Sequence, residues 1–432
     1  MTEKILEKNK ILKIEGPAFV EVLEGKLSVL SKELLPKTST VIPRSKVMVF
    51  KAVESSIINV RVGAGGMIAE LDDILIPAEW RNYTSKILEM KKPLIIFVLG
   101  DVDSGKSTLC TYLANECFSR GLKTAIIDID LGQSDIGPPT TLGLGFIDRS
   151  ITLLSEVELK DAYFVGTVSP RNVIDRIILG SKKMLDLAIK DNREIIIFNT
   201  DGWVYGLAAR KLKTLLLLCL APDVIIALQR GSELEQLLKP FKRLNNINII
   251  RLSPPKTLKI RSKAERKSIR QSMYIKYLLN AKNRVINFDT VGFLYSILGS
   301  GFPLSYDELK SFEKLLNIPL LYGETSTDSI LLISKTNLEE ELAVNLKEVI
   351  AQHTGKEIVL LLNKGFEKDL LVGLYGTNGV VLGLGIIREI NFNKRTIELL
   401  TPVEEEIALI AIGSVKLTLD GKEIKKFYPW IF

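Results

Sequence analysis

The chain has 432 residues, 46% hydrophobic and 25% charged, too many for one ordinary core and too apolar for a disordered polymer. Three cysteines and one histidine, His353, leave no disulfide framework, no zinc pattern and no Ser-His-Asp hydrolase, and they predict a reduced, cytoplasmic protein. The net charge of +7 is uneven: residues 251–284 carry 11 Lys and Arg against one acid, Glu265, while residues 301–432 carry 14 against 19 acids, so any attraction for polyphosphate or nucleic acid is local.

Residues 1–10 are polar and charged, without the apolar core of a signal peptide. Residues 18–22, 26–30, 46–50 and 56–60 are rich in β-branched and aromatic side chains, and Gly25, Pro43 and the glycines near 63–66 punctuate them. They predict a small sandwich or barrel-like β domain over 1–88. Residues 80–90 read as a short helix leading onward.

From residue 92 to about 283, strand and helix patterns alternate. Strands are expected at 94–99, 123–129, 161–165, 194–199, 223–228 and 247–252, with helices such as 172–190 and 203–220 between them. This is the α/β pattern of a parallel sheet with helices on both faces, and it places ligands beyond the carboxyl ends of the strands. The longest apolar stretch, 215–226, is interrupted by Pro222 and Asp223 and is too short to span a bilayer, so no membrane partner is expected. After 285 the alternation weakens. A helix at 338–353 precedes strands at 357–362, 370–375, 380–387, 396–400 and 407–412, a second β-rich domain. The expected domains are 1–88, 89–284 and 285–432.

The run GDVDSGKS follows the first strand of the alternating region, and Thr108 opens a helix-like stretch. It fits the P-loop pattern G-x-x-x-x-G-K-[ST]. A chance match of its four fixed positions arises in roughly 1 in 50 chains of this length, so the strand before it and the helix after it carry the assignment. Gly100 and Gly105 let the backbone of Asp101, Val102, Asp103 and Ser104 curl so that N–H groups converge on phosphate oxygens. Lys106 can reach the β- and γ-phosphates, and the Ser107 hydroxyl can hold Mg²⁺. The fold class expected is therefore a P-loop sheet flanked by two smaller β-rich domains.

Two more segments point to the same end of the sheet, and a third supplies positive charge. DIDLGQ at 128–133 sets two carboxylates at i, i+2 on an extended segment, so both point one way. Asp130 is the expected general base, Asp128 the metal-organising residue, and Gln133 orients substrate or a metal-bound water. TDGW at 200–203 follows another strand: Thr200 offers a hydroxyl, Gly202 a close backbone approach, and Trp203 a face for stacking a base or for packing in a core. In the basic segment, Arg266 and Arg270 share a face if helical and could close over a transferring phosphate, with Arg261 and Lys263 extending the patch.

Together GDVDSGKST, DIDLGQ, TDGW and the RKSIR run at 266–270 resemble the polynucleotide 5′-hydroxyl kinase family. Its members include archaeal RNA kinases, the kinase subunit of the eukaryotic mRNA cleavage factor and a ribosomal-RNA-processing kinase. The resemblance implies Mg²⁺-dependent transfer of the ATP γ-phosphate to a 5′-hydroxyl of RNA, or of DNA. It makes Thr200 and Trp203 a clasp on Lys106, Arg266 and Arg270 a lid, and 164–170 a substrate-side loop. It gives the N-terminal domain a share in enclosing adenine, for which Glu21 is the candidate. Competing expectations are an ATP-binding scaffold without turnover and a P-loop ATPase or GTPase. Asp130 and the two lid arginines favour the kinase.

Overall fold

The computed structural model describes residues 2–72, 76–255 and 260–426. It divides into two compact units, one of residues 1–165 and 169–269, the other of 166–168 and 270–432. Lys256 and Lys259 of the basic segment lie outside the described residues.

The first unit begins as a β sandwich. Its strands alternate buried and half-buried residues, as in Ala18–Glu24, Val47–Ala52 and Ser56–Val62. That period of two buries one face of each sheet and leaves the other to solvent. A four-stranded and a five-stranded antiparallel sheet share one core, which includes Leu12, Ile14, Val20, Phe50 and Ile58.

The rest of the unit is a seven-stranded sheet in the order Leu159–Phe164, Thr141–Ile147, Thr124–Asp128, Ile195–Asn199, Leu94–Gly100, Val224–Leu228 and Asn248–Leu252. The last five of these run parallel. The central strands are buried throughout, which explains their unbroken apolar sequences. Successive residues feed opposite faces. Ile196 and Phe198 pack with helices Ile174–Lys190 and Leu207–Leu220, whereas Ile195 and Ile197 pack with Ala78–Leu88 and Lys106–Ser119. Cys110 and Cys117 are buried in the second of these clusters.

All six expected strands of this sheet are present. The seventh, Thr141–Ile147, pairs antiparallel with both its neighbours, so the sheet is mixed rather than wholly parallel. Its glycines concealed it. A Cβ on Gly143 would stand 1.9 Å from the Ile136 carbonyl oxygen, and one on Gly145 would stand 2.4 Å from Val157. The missing side chains let two neighbouring segments cross close over the strand.

The second unit holds a sheet built from Lys282–Asn287, Thr396–Thr401, Val381–Asn391, Leu370–Tyr375, Leu409–Leu417 and Gly292–Leu294. A four-stranded sheet of Phe302–Pro303, Leu320–Thr325, Ser329–Ser334 and Ile358–Asn363 accompanies helices Tyr306–Leu316 and Glu340–Thr354. Among the described residues no helix is long and apolar enough to cross a membrane. His353 is exposed, its ring edge-on to Phe312.

Candidate active site

The P-loop leaves the strand Leu94–Gly100 and enters the helix Lys106–Ser119. Gly105 caps that helix at φ 96°, a conformation open to glycine. Asp103 stands at φ 54°, where Asp and Asn are the side chains best tolerated. Lys106 is buried, and its Nζ donates to the carbonyls of Gly100 at 3.0 Å and Asp101 at 2.8 Å. Burial lowers its pKa, while the Asp130 and Asp201 carboxylates act in the opposite sense.

Asp128 closes the strand Thr124–Asp128, separated from the P-loop strand by Ile195–Asn199, and is fully buried. One carboxylate oxygen accepts from the Asp130 N–H and Asn199 Nδ2, the other from the N–H groups of Asp135 and Ile136. Four donors occupy its lone pairs, so the residue expected to organise a metal organises the 128–136 loop instead. Burial, with Asp135 and Asp130 adding repulsion, pushes its pKa up to about 8. Asp130 caps the same loop, accepting from the N–H groups of Gly132 and Gln133 at 3.0 and 2.9 Å. Burial and then Asp201 raise its pKa, and Lys106 works against them. Gln133 Nε2 donates to the carbonyl of Gly132 and, at 3.4 Å, to that of Arg266.

Asn199 ties the pieces together, donating to Asp128 and, at 3.4 Å, to Ser107 Oγ. The next residue, Thr200, does not clasp Lys106. Its hydroxyl donates to the Val98 carbonyl at 2.7 Å. The 200–203 loop meets the P-loop through Gly202, where a Cβ would come within 2.7 Å of the Val102 backbone. Trp203 is partly buried against the core of the sheet, and its backbone N–H donates to Asp201 Oδ1. Asp201 in turn pairs at 2.5 Å with Lys213, a lysine with no solvent exposure.

The basic segment forms the helix Lys263–Tyr277, so Arg266 and Arg270 do share a face. Their partners differ. Arg266 Nη2 lies 2.9 Å from Asp103 Oδ2 in the P-loop. Arg270 falls in the second unit, where it binds Glu423 through Nε and Nη2 at 2.5 and 2.9 Å. The 164–170 segment is likewise divided. Gly166–Val168 belong to the second unit, where Ser414 donates to the Gly166 carbonyl.

These groups of the first unit surround a cavity of about 420 Å³. Lys106, Ser107, Thr108, Asp130, Gln133, Thr200, Gly202, Trp203 and Arg266 all line it. The sandwich supplies another wall through Val29, Leu30, Lys46 and Met48, and Trp80 and Tyr112 form an aromatic corner with ring centroids 6.0 Å apart. Glu21, the adenine candidate, is not among the lining residues. It lies on the strand Ala18–Glu24, in the four-stranded sheet, while Val29, Lys46 and Met48 lie on or next to strands of the five-stranded one.

Residues 100–280 match the family described as mRNA cleavage and polyadenylation factor CLP1 P-loop. A polyribonucleotide 5′-hydroxyl-kinase of Methanocaldococcus jannaschii is 35% identical over 353 residues, covering 81% of this chain and 94% of the relative. Its counterpart in Pyrococcus furiosus is 33% identical over 353 residues, covering 81% and 95%. The chain belongs to the polyribonucleotide 5′-hydroxyl-kinase family. The solved structure of a wild-type Clp1p–Pcf11p complex shares the fold, with a TM-score of 0.66 at 11% identity over 96% of this chain and 97% of that one.

Sequence reasoning missed several residues that shape this kinase-family site. Asp135 pairs with Lys46 of the sandwich at 2.8 Å and accepts a hydrogen bond from Ser107. Burial alone would raise its pKa, but Lys46 and the Ser107 hydroxyl hold it below the ordinary value. Asp201 stood unremarked inside the TDGW run, and Lys213 hid in an apolar helix. The available signal was helical spacing: Lys213 lies one turn from Ala209, Leu216 and Leu217 on the buried face, unlike the exposed Arg210 and Lys211, and a buried lysine needs a counter-charge.

Proposed function

We propose that this chain is an ATP-dependent kinase that moves the γ-phosphate of ATP to a 5′-hydroxyl of RNA. The carrying observation is that the P-loop lysine Lys106, the buried carboxylate Asp130 and the lid arginine Arg266 line one cavity. A scaffold without turnover has no need of a general base beside the phosphate site. Three buried polar atoms there lack a protein partner: Ser104 Oγ, Gln133 Oε1 and Arg266 Nε. The oxygens of a triphosphate would accept from Ser104 Oγ and Arg266 Nε, and a hydroxyl or water accompanying it would donate to Gln133 Oε1.

In this reading the P-loop N–H groups and Lys106 hold the phosphates, and ATP places its base toward the wall of Leu30, Met48, Trp80 and Tyr112. Magnesium, when bound, neutralises phosphate charge, and Ser107 would hold it with Asp135 at the hydroxyl. Asp128 serves the metal only through the loop it orders. The RNA 5′-oxygen forms a bond to the γ-phosphorus as the bond to the bridging oxygen of ADP breaks, and its proton passes to Asp130. Gln133 orients the acceptor, and Arg266 meets the charge on the transferring group. Arg270 is committed to Glu423, so the lid charge facing phosphate falls to Arg266. Thr200, Gly202 and Trp203 brace the P-loop from beneath.

We read residues 1–88 as a nucleotide-enclosing domain, 89–284 as the kinase domain and 285–432 as an accessory β-rich domain. Three unbridged cysteines, two of them buried, support a reducing, cytoplasmic setting. The test is incubation with γ-labelled ATP, Mg²⁺ and 5′-hydroxyl RNA or DNA oligomers. Label on RNA ends supports the proposal, and label on DNA alone would change the substrate. Free labelled phosphate with no labelled ends would point to an ATPase.

A further inference from the structure

The P-loop carries a carboxylate where a phosphate-binding loop gains nothing from one. Asp103 sits at φ 54°, with its side chain 9% exposed, directly in the curl that is to receive phosphate oxygens. Negative charge there opposes an anionic ligand, so its presence asks for another cause. The cause lies on the lid. Asp103 Oδ2 accepts the Arg261 N–H at 2.9 Å and stands 2.9 Å from Arg266 Nη2, while Oδ1 is 3.8 Å from Arg261 Nη1.

We propose that Asp103 is a positioning residue for the lid, holding the Arg266 guanidinium over the P-loop so that it meets the transferring phosphate without reorganising. Two further features support this. Arg266 Nε has no partner, so Asp103 engages one edge of the planar guanidinium and leaves donor capacity for a second acceptor. The lid's entry is also pinned to the sandwich: Arg261 Nε donates to the Ser45 carbonyl at 3.2 Å, and Ser45 Oγ donates to Glu265 at 2.9 Å. The start of the lid helix is thus registered against two fixed elements, and Asp103 is the one that touches the arginine. Preorganised charge of this kind acts on the transfer step more than on binding.

The inference rests on Arg266 acting in transfer, and the experiment separates the two. Asp103→Asn keeps a side chain suited to φ 54° and an oxygen for the Arg261 N–H, and removes only the charge. Nucleotide affinity, thermal midpoint and single-turnover transfer to a 5′-hydroxyl RNA are measured for Asp103→Asn, Arg266→Ala and the double variant. The expected pattern for Asp103→Asn is a split: ATP binds as tightly as in the wild type or about 2–5-fold tighter, while transfer slows about tenfold. The double variant should be no slower than Arg266→Ala alone. Wild-type transfer by Asp103→Asn would overturn the proposal. So would a joint fall in affinity, thermal midpoint and rate, or a double-variant loss equal to the product of the single losses. Undiminished transfer by Arg266→Ala would instead overturn the lid reading on which the proposal stands.

Discussion

Asp128 and Asp130 are two residues apart, and the fold gives them different work. Asp128 is consumed by four N–H donors, whereas Asp130 takes two and lines the cavity beside Lys106. Replacing Asp128 with Asn puts an amide NH₂ where one carboxylate oxygen met two donors. An unfolding midpoint should register a loss of about 1–3 kcal/mol, as for a buried group left unsatisfied, and an unchanged midpoint would contradict this role. The pH dependence has a definite sign. Burial, then Asp135 and Asp130, raise the folded pKa of Asp128 from an ordinary 3.8 to about 8, against the pull of its N–H donors. Its favourable contribution is complete below pH 3.8 and lost as the pH rises through about 8. The stability gap between wild type and Asp128→Asn should therefore narrow across that range in denaturant titrations. For Asp130, burial and Asp201 raise the pKa. A base must be ionised, so the transfer rate should fall with acid at a pH above the ordinary aspartate range, and Asp201→Asn should move that limb downward.

The elements around the phosphate site are braced by close contacts. Gly202 presses on the Val102 backbone, and a methyl group there would displace the P-loop. Gly202→Ala should weaken ATP binding at least tenfold in a nucleotide titration, an effect of about 1–3 kcal/mol expected for overpacking. The helix Leu207–Leu220 holds the same loop through Lys213 and Asp201. Lys213→Met leaves a buried carboxylate without its partner and should cost about 3–5 kcal/mol, much of it regained in the double variant with Asp201→Asn. Equal stabilities across this set would show that the pair contributes nothing. At this scale the sequence was informative wherever a motif sets local geometry. The P-loop, the strand-end carboxylates and the helical register of Arg266 and Arg270 all follow from short spacings. It was silent where a partner comes from far along the chain: nothing near Arg270 announces Glu423, nor anything near Lys46 its ion pair with Asp135. The strand Thr141–Ile147 escaped notice because its glycines serve crowding by neighbours, not turns.

Across the first unit, the sandwich completes the cavity beside the P-loop. Its residues Leu30, Lys46 and Met48 line the space, and Asn115 of the P-loop helix fastens the two parts. The Asn115 amide donates to the carbonyls of Leu30 and Ile151, and its oxygen accepts the Ile151 N–H. Asn115→Ala should lower stability by roughly 1–3 kcal/mol and weaken ATP binding together, because the wall and the loop are secured by one side chain. Loss of stability with full affinity would separate wall from site. The apolar periodicities conveyed an N-terminal β domain and the layered sheet apart from Thr141–Ile147, because the burial of those strands is written in their own residues. The assembly of a single cavity from both was not readable, because it depends on contacts between segments far apart in sequence, such as Lys46 and Asp135, 89 residues apart.

The most direct test of the account is single-turnover transfer from γ-labelled ATP to a 5′-hydroxyl RNA by the wild type and Asp130→Asn, with ATP binding measured on the same samples. Labelled 5′ ends are expected with the wild type, and near-wild-type ATP binding with transfer lost in the variant. Transfer by Asp130→Asn at the wild-type rate would contradict it.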